Sequence, residues 1–90
     1  MITQKKFLIA EQEFERELFG SFDENIKLIE DTLSIDVILR EGNIVLMGEE
    51  KNVDLAYKLM TELQETVING KSLDRQSVTY SLSLLLEGSE

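Results

Sequence analysis

Apolar positions along this chain switch between two periods, and the switches mark out its elements. In Lys5–Ala10 (KKFLIA), Phe7 and Ile9 fall on one side of a short first strand. From Glu11 to Phe19 the period lengthens, and Phe14 and Leu18 at i, i+4 predict a helix. Gly20 ends it, where a residue without Cβ turns the chain at little steric cost. A second helix starts at once and runs to about Leu33, its apolar face made by Phe22, Ile26, Ile29 and Leu33. Ser21 followed by Glu24 is S-x-x-E, a capping box, and Asp23 and Glu24 put negative charge at the positive end of the helix dipole.

The period then shortens to two. Ile35, Val37 and Leu39 alternate with Asp36, Ile38 and Arg40, a strand rich in β-branched residues. Glu41-Gly42-Asn43 is a turn, and Ile44–Met47, closed by Gly48, is the returning strand of an antiparallel hairpin. From Glu50 to Val67 the helical period returns. Val53, Ala56, Met60, Leu63 and Val67, widened by Leu59, form one stripe, with Asp54, Lys58 and Glu62 on the wet side. Asn69-Gly70-Lys71 ends this helix. Asp74 is the N-cap of a last helix with Val78, Leu82 and Leu85 on one face. Leu84 and Leu86 make its end apolar nearly all round. The order predicts an α+β fold of two layers, a three-stranded sheet with helices on one face plus an extra C-terminal helix, in a single domain over residues 1–90.

Composition narrows the chemistry more than the fold. The chain has neither Cys nor His, which excludes disulfides, thiolate chemistry, the commonest general base and the commonest transition-metal ligand. Its net charge is −9, so as a whole it repels a polyanion, and a nucleic acid is expected to meet it weakly and through a local patch. No apolar run approaches the ~20 residues that span a bilayer, and Glu11 and Glu13 interrupt any secretory segment, so a soluble cytoplasmic chain without membrane contact is expected. The carboxylates Asp23 and Glu24 are read as helix-start charges before a Mg²⁺ pair. Gly70-Lys71-Ser72 is no phosphate loop, because position 65 is Glu where G-x-x-x-x-G-K-[ST] requires Gly. With no catalytic, cofactor or metal residues to assign, the chain itself is expected to be no enzyme. Tyr57 and Tyr80 are expected at the edge of the core.

The element order resembles a type I KH domain. The match runs from Leu18-Phe19-Gly20-Ser21-Phe22-Asp23 through Ile26 and Ile29 to the hairpin, Gly48 and the Val53-x-x-Ala56 helix. One position departs, since the second Gly of the usual GxxG is Asp23. Phe19-Gly20, Asp23-Glu24-Asn25, Leu28-Ile29-Glu30, Gly42-Asn43 and the tail Gly70-Lys71-x-Leu73 with Val78 further resemble the KH-like N-terminal region of the PhoH-like ATPases, the phosphate-starvation-inducible family. That resemblance implies an RNA-linked, ATP-binding protein whose ATP and Mg²⁺ belong to a downstream P-loop ATPase domain absent from these residues. It implies single-stranded RNA and that ATPase domain as partners, while the apolar end of the last helix, Leu82 to Leu86, is expected to dock on the sheet, on a missing domain or on another copy in a homo-oligomer. It also implies a groove bordered by Gly20, Ser21, Phe22, Lys27 and Arg40. Phe22 there is either a stacking platform for a base or, one turn before Ile26, a packing residue. The alternative function is a structural or oligomerisation module that has lost nucleic-acid binding, to which the acidic surface and Asp23 point.

Overall fold

The computed structural model describes residues 1–20 and 23–88. Its elements run β1 (Ile2–Phe7), α1 (Gln12–Leu18), α2 (Glu24–Leu33), β2 (Asp36–Arg40), β3 (Asn43–Glu49), α3 (Glu50–Ile68) and α4 (Arg75–Glu87). The strands form one antiparallel sheet in the order β1-β3-β2. The return strand of the hairpin is therefore central, and the first strand of the chain closes the far edge.

The register sorts the side chains. Phe7, Ile44 and Leu39 share one row, and Lys5, Leu46 and Val37 the next, on the face that the helices cover. Against them pack Phe14 and Leu18 of α1, Ile26, Ile29 and Leu33 of α2, and the whole stripe Val53, Ala56, Leu59, Met60, Leu63 and Val67 of α3. Val78 and Leu82 bring α4 into the same core, with Leu73 of the connector. Phe7 meets the rings of Phe14 and Tyr57 edge-on at 6.0 and 5.3 Å. Tyr57 is half-buried as expected, whereas Tyr80 stands out in solvent.

Two local expectations are corrected, and a third lies outside the described residues. The first strand lies at Ile2–Phe7, not Lys5–Ala10, because its inner positions are Lys5 and Phe7. The Lys5 ammonium lies over the Tyr57 ring (4.9 Å) and 3.4 Å from Asp54, so a charged, exposed side chain occupies an inner position of the strand. Gly20 is not in the left-handed region, so its turn does not demand glycine's freedom there; a Cβ would sit 3.3 Å from the Glu17 carbonyl oxygen. The expected capping box rests on Ser21, which lies outside the described residues, as does Phe22. The residue flanking α2 is Asp23, whose side chain makes no cap hydrogen bond.

The other ends form as their chemistry requires. Glu41 (φ 52°) and Gly42 (φ 78°) both turn left-handed between the paired residues Arg40 and Asn43, the geometry of a type I′ hairpin. Gly70 (φ 86°) closes α3: its N–H donates to Val67 and that of Lys71 to Thr66, a Schellman ending. Asp74 caps α4 as expected, its Oδ1 accepting from the Ser77 N–H at 2.7 Å.

Candidate nucleic-acid interface

The turn between α1 and α2 is the centre of the expected groove. Asp23 stands at φ 54°, ψ 29°, a left-handed conformation that glycine adopts freely and that Asp and Asn tolerate better than other residues. The position that a second glycine takes in GxxG thus keeps a glycine-like backbone while carrying a carboxylate. Glu24 follows it, and Lys27 is exposed one turn further along α2.

Arg40 lies elsewhere. Its register partner Asn43 shares a face with Val45 and Ile38, away from the helices, whereas Lys27 belongs to the helical layer. Of the five groove positions, Gly20 and Lys27 lie on the helical side of the sheet, Arg40 is assigned to the opposite face, and Ser21 and Phe22 lie outside the described residues.

The turn instead has neighbours that sequence reasoning missed. A cleft of about 350 Å³ is lined by Gly20, Glu24 and Asn25 on one side and by Leu73, Asp74 and Arg75 on the other, with Arg16 and Glu17 completing it. The Asn25 amide is buried and donates to the Leu73 carbonyl at 3.3 Å. Glu17 accepts from the Leu73 N–H at 2.9 Å, so both backbone groups of this buried residue are satisfied by side chains of the first two helices. Arg75 then reaches Glu24 at 3.0 Å across the cleft mouth. The signal for Asn25 was present, since it is a polar residue beside Ile26 and Ile29 on the buried side of α2. Its partner 48 residues away was not legible.

Electrostatically the site is mixed, with Arg16 and Arg75 facing Glu17, Glu24 and Asp74. The Asp74 carboxyl is held below the usual carboxylate range, chiefly by the hydrogen bond it accepts from the Ser77 N–H. Among the described residues, no three His, Cys, Asp or Glu side chains group in a way that could hold a metal ion. No helix there is long and apolar enough to cross a membrane.

No family model matches the chain. Over 69 residues it is 39% identical to a PhoH-like protein of Mycobacterium tuberculosis, covering 77% of this chain and 20% of that protein. It is 33% identical to the PhoH-like protein of Mycobacterium leprae over the same length. To that of Bacillus subtilis it is 27% identical over 67 residues. The chain thus spans about a fifth of the length of the curated relatives it matches. In structure it is similar to Dim2p from Pyrococcus horikoshii OT3, with a TM-score of 0.70 at 14% identity, over 92% of this chain and 49% of that one. This likeness concerns the fold, and together with the element order and the β1-β3-β2 sheet it makes the chain α+β and KH-like.

Proposed function

We infer that this chain, a member of the PhoH-like family, is a KH-like accessory domain that positions single-stranded nucleic acid, RNA above all, for an ATP-hydrolysing domain of the longer protein. The observation that carries this reading is the turn at Gly20 and Asp23, which joins two helices on the covered side of the sheet and keeps a left-handed backbone at position 23. In KH domains that turn meets the nucleic-acid backbone. The Asp23 carboxylate works against it: at ~4 Å from a phosphate the repulsion is about 4 kcal/mol at an effective dielectric of 20. Binding through this turn is therefore weak, with Lys27 as its cation and base contacts in place of a phosphate clamp. ATP and Mg²⁺ belong to the ATPase domain, not to these residues.

Fluorescence anisotropy with single-stranded RNA at about 50 mM salt tests the reading, since phosphate contacts are strongest at low salt. Saturable binding that weakens with Lys27→Glu and strengthens with Asp23→Asn is expected. No binding under those conditions, or binding indifferent to both substitutions, removes the nucleic-acid role.

A second reading has its own observation. Glu24, beside Asp23, is paired with Arg75, and the α3–α4 connector lines one side of the cleft that Gly20, Glu24 and Asn25 line on the other. An acidic start to α2 already tied to the connector suits an assembly module in which α4 and the surfaces around it hold the ATPase domain or another copy. Light scattering on the chain separates the two, because a strict monomer that binds RNA tightly excludes the assembly role.

A further inference from the structure

The face of the sheet opposite the helices carries a pattern of its own. Val45 sits at its centre, only 2% exposed although it takes no part in the helix-covered core. Beside it on this face are Ile38 (36% exposed), Met47 and, at one end, Ile2 (69% exposed). Charge is divided along the strands. Lys6 and Arg40 lie at the hairpin end, neither ion-paired among the described residues, with the exposed Glu41 in the turn beyond them, so that end is net positive by one charge. Asp36 and Glu49 lie at the other end. There Glu30, Asp31, Asp36 and Glu49 border a cleft of about 410 Å³, and among the described residues only the Met1 ammonium, 2.6 Å from Glu49, is ion-paired with them.

We propose that this open face is a homodimer interface, covered by a second copy of the chain across a two-fold axis that runs perpendicular to the strands. Such an axis sets the cationic end of each sheet over the acidic end of the other, and symmetry repeats the contact. The row containing Val45 and Ile38 meets the row containing Met47 in the other copy. An axis along the strands would stack cations on cations. Nucleic acid is the poorer occupant, because the acidic end repels phosphate. Three strands ~4.8 Å apart and about 20 Å long offer less than the ~1,200 Å² total of a standard stable interface, so the dimer is weak and salt-sensitive. This assembly face is distinct from the α4 surface of the second reading, and it is independent of the Gly20 turn.

Sedimentation velocity of the 90-residue chain from about 10 µM to about 1 mM tests it. At low salt the mass is expected to rise toward twice the 10.3 kDa of one chain. Raising the salt from about 0.05 to about 0.5 M shortens the screening length roughly threefold and drives the dimer apart. Arg40→Glu and Asp36→Lys, both at exposed positions, each weaken dimerisation roughly tenfold. The double variant, which reverses the polarity and keeps the self-complementarity, restores it. A monomer at every concentration overturns the proposal, as does a double variant no better than either single one. Dimerisation lost on Tyr80→Ser with Leu84→Ser, and unmoved by the sheet variants, also overturns it while leaving assembly through α4 standing.

Discussion

At the scale of single residues, Asp23 sets backbone shape against charge. Its left-handed φ costs most L-residues roughly 1–2 kcal/mol and Asp or Asn less. Asp23→Asn should therefore leave stability unchanged within about 0.5 kcal/mol while tightening RNA binding. Asp23→Ala should lose about 1 kcal/mol in urea titrations while removing the same charge. If Asn and Ala prove equally stable, the left-handed geometry is not what position 23 is chosen for. Asn25 is a different case, a buried donor committed to the Leu73 carbonyl. Asn25→Ala leaves that carbonyl without its partner and should cost about 1–3 kcal/mol, with amide exchange accelerating first around Leu73–Arg75. The sequence exposed the polar residue in a buried helix face. It did not expose the partner, because a side-chain hydrogen bond to a distant connector leaves no periodic trace.

At the scale of elements, legibility followed burial. The hairpin, α3 and α4 were legible because each presents an uninterrupted apolar stripe or a turn with a fixed backbone demand. The first strand was misplaced because one of its inner positions is the charged Lys5, while Leu8 and Ile9 continue the apolar run past the strand's end. Gly48 was expected to close the strand, but β3 runs on to Glu49 with Gly48 paired to Thr3, and the structure adds the reason for glycine. A Cβ there would lie 3.0 Å from Cγ2 of the buried Ile35, so Gly48→Ala should cost about 1–3 kcal/mol by overpacking. At the α4 start the prediction is one of pH. Because the folded pKa of Asp74 is lowered, its contribution is present above the unfolded value and is lost as pH falls through the folded one. Helicity of α4, followed by amide exchange or by ellipticity at 222 nm, should thus decline on the acid side of 3.8. Asp74→Asn keeps an N-cap that cannot titrate and should flatten that decline. An unchanged acid profile would show that the cap does not govern α4.

At the scale of the molecule, the question is whether α4 is part of the domain or a tether leaving it. A KH-like core in the strict sense ends with α3, and the exposed Tyr80 and Leu84 could suggest a helix merely resting on the surface. The packing argues otherwise. Leu73, Val78 and Leu82 are buried in the same cluster as the sheet, and Glu17 and Asn25 hold both backbone groups of Leu73. Burying three such side chains contributes roughly 5–8 kcal/mol by area, an upper estimate because the unfolded chain is already partly collapsed. A domain of this size has a total stability of only about 5–15 kcal/mol. Removing residues 72–90 should therefore leave a chain that melts without a cooperative transition, or one whose urea midpoint drops by more than half. Circular dichroism and one-dimensional NMR of residues 1–71 beside the full chain would decide it. A truncated chain with dispersed methyl signals and an unchanged midpoint would make α4 a linker and detach the cleft at the Gly20 turn from the fold. If the truncated chain unfolds instead, the connector that lines the cleft beside Gly20 is integral to the domain, and any RNA reaching Gly20 must do so alongside Arg75.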